Sequence, residues 1–150
     1  MLIWKIRRFE ALSPAELYDV LKLREEVFIV EQNCVYCDLD GKDPKALHLI
    51  GEFDGNTVAY ARLFKAGDYF DRASIGRVVI SQNFRSRKWG HDLMREAIMA
   101  VYQYFHEEEI VISAQLYLQK FYESHGFKAV GEGYVEDDIP HIKMINTTES

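Results

Sequence analysis

Between residues 75 and 127 the chain reads as an apolar strand, a cationic loop, a helix, a second strand and a short helix closed by glycine. That order constrains the fold more than any other feature. Ile75-Gly76-Arg77-Val78-Val79-Ile80 is β-branched and almost wholly apolar, the composition of a strand covered on both faces. Arg85-Ser86-Arg87-Lys88-Trp89-Gly90 follows it. From about residue 90 to 105, Met94, Ala97, Ile98, Val101 and Phe105 recur at three- and four-residue spacings, which predicts a helix with one buried face. The first turn of such a helix has free backbone N–H groups. Together with the positive end of the helix dipole and the cations Arg85, Arg87 and Lys88, they suit a phosphate-bearing ligand.

The rest of the chain supplies partners for that unit. Leu2, Trp4 and Ile6 alternate with Lys5 and Arg7, as in a strand packed on one face. Ser13-Pro14-Ala15-Glu16 reads as a capping box with proline at the first helical position. Leu17, Val20, Leu21, Val27 and Phe28 form the buried stripe of that helix, and Arg24 lies on the same stripe. An unpaired guanidinium is costly to bury, so Arg24 is expected to reach a carboxylate, with Glu31 a candidate, or to line a cavity. Residues 46–53 and 57–65 flank Asp54-Gly55-Asn56 as a hairpin. Residues 66–72 read as a surface loop carrying Tyr69 and Phe70. A strand at 110–114, a short helix at 116–125 ended by Gly126, and strands at 127–134 and 139–145 complete the sheet.

With 48% hydrophobic residues in 150, the chain has material for one core and is expected to be one domain over 1–150. The net charge of −6 argues against general attraction to nucleic acid or anionic lipid. No segment reaches the roughly 18 apolar residues of a membrane span, and no signal peptide is evident, so a soluble cytoplasmic protein is expected. Cys34 and Cys37 form Cys-x-x-Cys without a second pair or a thioredoxin-like pattern, and read as reduced loop cysteines with no metal.

Arg85-x-x-x-x-Gly90 opening a helix after such a strand, with Tyr122-x-x-x-Gly126-Phe127 behind it, resembles the Gcn5-related N-acetyltransferase (GNAT) superfamily across nearly the whole chain. Residues 23–34 and 139–142 are similar to its ElaA-like branch. Lys88 stands where the family loop usually has its first glycine. The resemblance implies an α/β GNAT fold, a mixed central sheet of about six to seven strands flanked by helices, with a splayed strand pair after residue 72. It implies acetyl-CoA as cosubstrate, bound by Val78, Val79 and Ile80 along the pantetheine, by Arg85, Ser86, Arg87, Lys88, Trp89, Gly90 and His91 at the pyrophosphate, and by Gln115 at a pantetheine amide. Tyr122 corresponds to the tyrosine beside the thioester sulfur, and the N–H near Val79 to the partner of the carbonyl.

An acceptor amine is mostly protonated at neutral pH, so a group must take its proton. His141, Glu31 and the acidic run 136–138 are candidates. Arg24 and Gln32 are candidate acceptor-binding residues. The activity so implied is N-acetyl transfer by direct attack of a small-molecule or protein amine on the thioester, in a monomer or homodimer. The competing readings are a non-catalytic acyl-CoA-binding regulatory module and a plain interaction domain whose basic loop meets an acidic partner.

Overall fold

The computed structural model describes residues 1–147. Seven strands form one mixed sheet in the order β1-β2-β3-β4-β5-β7-β6. β1 (Leu2–Arg8), β2 (Leu47–Phe53), β3 (Asn56–Phe64) and β4 (Ala73–Ile80) are an antiparallel meander. β5 (Glu109–Gln115) runs parallel to β4, and β7 (Ile139–Thr147) lies antiparallel between β5 and β6 (Lys128–Glu136). The turn between β2 and β3 holds Asp54 and Gly55 at positive φ, 52° and 77°, the two-residue reversal that suits the twist of a hairpin.

Helices cover both faces. On one, α1 (Pro14–Arg24) begins at the expected capping box: Ser13 Oγ accepts from the Glu16 N–H at 3.0 Å, and Glu16 Oε1 accepts from the Ser13 N–H at 2.9 Å. α1 runs directly into a π-helical turn, Glu25–Glu31. The buried stripe comprises Val20, Leu23, Arg24 and Val27, at ordinary α-helical spacing, while Leu17, Leu21 and Phe28 are only half-buried. On the other face, α2 (Trp89–Phe105) buries Leu93, Met94, Ala97, Ala100 and Val101 in the main core with Leu63, Ile75, Ile110 and Ile112. Each large apolar side chain so buried contributes about 1.5–3 kcal/mol. A 3-10 turn, Leu116–Leu118, leads into α3 (Gln119–Glu123).

Two irregularities in β4 position the site. Its partner β3 pairs Tyr60 with Val79 but Arg62 with Gly76, so Arg77 and Val78 both oppose Ala61. This is a β-bulge, with Arg77 at φ 50°. On its other edge β4 pairs with β5 only at Ala73–Ile110 and Ser74–Val111. Beyond Ser74 the two parallel strands splay apart, as the family resemblance implied.

Candidate active site

The splay opens a cavity of about 590 Å³. Residues 75–80 of β4 form one wall, and Ile112, Ser113 and Gln115 of β5 the other. Phe28 and Glu31 from the π-helical turn, with Gln32 just after it, lie above it, and Tyr122 of α3 and His141 of β7 reach into it. The edge of β4 has no strand beside it from Ile75 onward, so a ligand bearing amides has main-chain groups to meet there. The Ser81 N–H donates to Val58 O at 2.8 Å. By the alternation of an antiparallel ladder, Val79 then directs its N–H to β3 and Ile80 directs its main-chain groups to the seam. Ile80 O indeed accepts from Arg85 Nε at 3.2 Å on that side.

At one end the cavity meets the start of α2. Lys88, in the place of a family glycine, adopts the left-handed conformation at φ 61°. The backbone path is therefore kept with a lysine, at a strain of roughly 1–3 kcal/mol. Lys88, Gly90 and His91 line the cavity. A Cβ added at Gly90 would meet only Phe121, at 3.5 Å. Arg85 also lines it, but its guanidinium grips Glu31 with both terminal nitrogens, Nη2 to Oε1 at 2.7 Å. That pair holds the Glu31 carboxyl below its usual range, which makes Glu31 a weaker base. Arg87 lies over the rings of Phe53 and Trp89, at 4.8 and 5.2 Å. Arg87, Trp89 and the exposed Ser86 belong to the loop but do not line the cavity. His91 Nδ1 lies 2.9 Å from His125 Nε2, beside Phe121. Burial first, and the neighbouring His91 second, lower the pKa of His125.

In the middle, Tyr122 is 6% exposed, and burial drives its phenol well above the usual range. It therefore keeps its proton at any working pH. His141 Nδ1 lies 2.7 Å from Ile139 O. A carbonyl only accepts, so Nδ1 carries the proton, and in the neutral ring Nε2 presents its lone pair. Glu136 Oε2 lies 3.6 Å from that nitrogen. Gln32 and Gln115 face one another across the cavity, Gln32 Nε2 donating to Gln115 Oε1 at 3.2 Å. They tie the π-helical turn to β5.

Beyond the centre lies a buried ionic cluster. Arg24, 0% exposed, donates to Asp38 Oδ2 at 2.9 Å and to Asp43 Oδ1 at 2.8 Å. Arg62 shares Asp43 at 3.1 Å and also holds Asp40. Arg77, turned by the bulge, donates to Asp38 Oδ1 at 2.7 Å. The arginines keep Asp40 and Asp43 ionised against burial, both below the usual carboxylate range. Arg24 does not line the cavity. Of its two expected settings the structure has the buried pair, with Asp38 and Asp43 as partners rather than Glu31. Beneath it, His48 Nε2 lies 3.0 Å from Asp43 O and Nδ1 lies 2.6 Å from the Tyr60 hydroxyl. Nε2 is the donor and Nδ1 the acceptor.

The sequence reading missed Tyr36, Arg62, Ser74 and Gly76, had Asp137 only within the acidic run, and left Tyr69 and Phe70 in a surface loop. All of these line the cavity. Cys34 is buried, with Sγ 2.8 Å from Asp137 O, and Cys37 is exposed. Among the described residues no group of three or more His, Cys, Asp or Glu side chains is placed to hold a metal ion. No helix of the described residues is long and apolar enough to cross a membrane.

A splayed parallel pair, a bulged fourth strand and a helix start at the mouth of the splay define an acyltransferase of the GNAT class. The family model described as acetyltransferase (GNAT) domain matches residues 13–148, and the chain belongs to that family. It is 40% identical over 146 residues to protein ElaA of Escherichia coli, covering 96% of this chain and 95% of ElaA. The crystal structure of that ElaA superposes with a TM-score of 0.91 at 39% identity, over 97% of this chain and 99% of the other. An acyl-CoA N-acyltransferase from Pseudomonas aeruginosa superposes at 0.90 and 41% identity, over 97% and 99%.

Proposed function

We propose that residues 1–150 are one catalytic domain that transfers the acetyl group of acetyl-CoA to an amine, in the cytoplasm and as a monomer or homodimer. The observation that carries this reading is the seam between β4 and β5, paired at two positions only and open from Ile75 onward. It leaves a slot with a free strand edge on one side, the start of α2 at its mouth and a buried phenol beside it.

Bound acetyl-CoA would supply an activated acyl carbon and a thiolate leaving group. Val78 and Ile80 flank the pantetheine on the seam side of β4, with Gln115 opposite. Lys88, Gly90 and His91 hold the phosphates, and Arg85 joins them once released by Glu31. His141 Nε2 takes the proton of the acceptor ammonium. The nitrogen bonds to the carbonyl carbon as the C–S bond breaks, the Tyr122 hydroxyl gives its proton to sulfur, and the second proton shed by the nitrogen returns through solvent to the Tyr122 oxygen. Seam-side N–H groups of β4 polarise the carbonyl in place of Val79. Positioning supplies most of the rate, because a thiol of pKa about 8.5 is already a fair leaving group.

The test is release of CoA thiol from acetyl-CoA with a panel of amines, in the wild type, Tyr122→Phe and His141→Gln. Tyr122→Phe should lower kcat about 10²-fold with the CoA dissociation constant unchanged. His141→Gln should lower kcat/KM about 10²-fold at neutral pH. CoA binding without product from any amine would instead indicate a non-catalytic CoA-binding module.

A further inference from the structure

The cavity continues past Tyr122 and His141 to where β4 and β5 rejoin at Ser74–Val111. We propose that this end seats a flat aromatic body carrying a primary amine and no carboxylate, so that the acceptor is an arylalkylamine. The inference rests on the acyl-transfer reading above and names its acceptor class.

Gly76 is the floor. It lies on the same face of the sheet as Phe64 and Ser74, since β3 pairs Arg62 with Gly76 and Phe64 with Ser74. A Cβ added at Gly76 would meet nothing within 4 Å, and its φ is not in the left-handed region. Open space therefore stands over the strand where any other residue would project a side chain, and a planar group can lie against the backbone. The surround is aromatic. Phe64 and Tyr69 stack at 5.0 Å and 15°, Phe70 meets Tyr69 edge-on at 4.6 Å, and Tyr36 also lines the cavity, under the Arg77 guanidinium at 5.8 Å. Such walls favour a ring in offset or edge-to-face contact.

Charge selects against a carboxylate. The guanidinium groups at this end, Arg62 and Arg77, are held by Asp38, Asp40 and Asp43. The same end of the cavity carries the carboxylates of Glu136 and Asp137, which attract a cation. Two further atoms, Arg62 Nε and Ser74 Oγ, are buried with no hydrogen-bond partner. A hydroxyl at the far end of the ligand would meet that unfilled capacity. With the bulge, the stretch from Ser74 to Val78 spans only Phe64 to Ala61 on β3, an advance of roughly 10 Å at about 3.3 Å per residue. That length accommodates a ring and a two-carbon arm with its amine beside His141.

Three acceptors isolate these features: tyramine, tyrosine, which adds only a carboxylate, and putrescine, which lacks the ring. CoA thiol release should give tyramine a kcat/KM at least tenfold above both others. Gly76→Leu should lower the tyramine value at least tenfold, and Gly76→Ala by a smaller factor, while acetyl-CoA still raises the Tm of both variants. Tyrosine or putrescine equalling tyramine, or wild-type tyramine turnover in both variants, would overturn the acceptor assignment and leave acyl transfer standing. Failure of every amine in the wild type would overturn the acyl-transfer reading, and this one with it.

Discussion

At the mouth of the cavity Arg85 is 42% exposed and held by a carboxylate of the neighbouring π-helical turn and the Ile80 carbonyl, whereas in the cluster beyond its inner end Arg24 and Arg62 are 0% and 1% exposed and between them hold three aspartates. The first group is available to a ligand at small cost, because an exposed ion pair is worth about 0–1 kcal/mol. The second cannot be separated from its partners without leaving a buried charge alone. Arginine at a binding cavity thus has two meanings here, a replaceable contact and a fixed frame, and burial decides between them.

The frame is the easiest part to break. Arg24→Ala leaves Asp38 and Asp43 without one of their donors and should destabilise the protein by about 3–5 kcal/mol in denaturant melts. All acceptors should be affected alike. The same cluster sets an acid limit. Asp40 and Asp43 have folded pKa values below those of the unfolded chain, so the unfolded state binds more protons in acid. Their contribution is fully present above the ordinary carboxylate pKa of about 3.9 and is lost as the pH falls below it toward the folded values. A Tm that stays flat from pH 6 down to pH 2 would contradict this cluster.

At the mouth, Gly90→Val should cost little stability, since a Cβ there makes ordinary contact with Phe121. Its branched side chain should instead block the phosphates from the backbone. The gain of about 2.7 kcal/mol that a hundredfold excess of CoA over its dissociation constant gives the wild type should disappear in a thermal-shift titration. Glu31→Gln sharpens the contrast from the other side. Freeing Arg85 from its pair should tighten CoA binding by no more than about fivefold, the equivalent of about 1 kcal/mol, with the Tm nearly unchanged.

How much of this could be read from residues alone follows the physics of pattern. Alternation in β1, the capping box at Ser13 and the three-and-four spacing of α2 are local signals, and those elements begin within a residue or two of where they were expected. Arg24 on an apolar stripe called for either a buried carboxylate or a place on the cavity wall, and the structure has the carboxylates. Which partner was not legible, because Asp38, Asp40 and Asp43 lie in an aperiodic loop whose path is set by the arginines themselves. The signal, in retrospect, is three aspartates within six residues following a buried arginine. The π-helical turn after α1 and the bulge at Arg77 carry no compositional signature, so neither was expected. Gly76 was visible as a glycine in a strand, but only the splay of β5 turns it into a floor.

That splay also divides the molecule for purposes other than chemistry. The strands β1 to β4 pair with sequence neighbours, as do β6 and β7, and two residue pairs are the whole hydrogen-bonded link between β4 and β5. The sheet therefore has a seam along which amide protons can exchange in two separate cooperative groups. A ligand that lies along β4 and is held from β5 acts as a staple across that seam. Hydrogen exchange should accordingly slow on both sides of it when acetyl-CoA is added, merging two opening units into one.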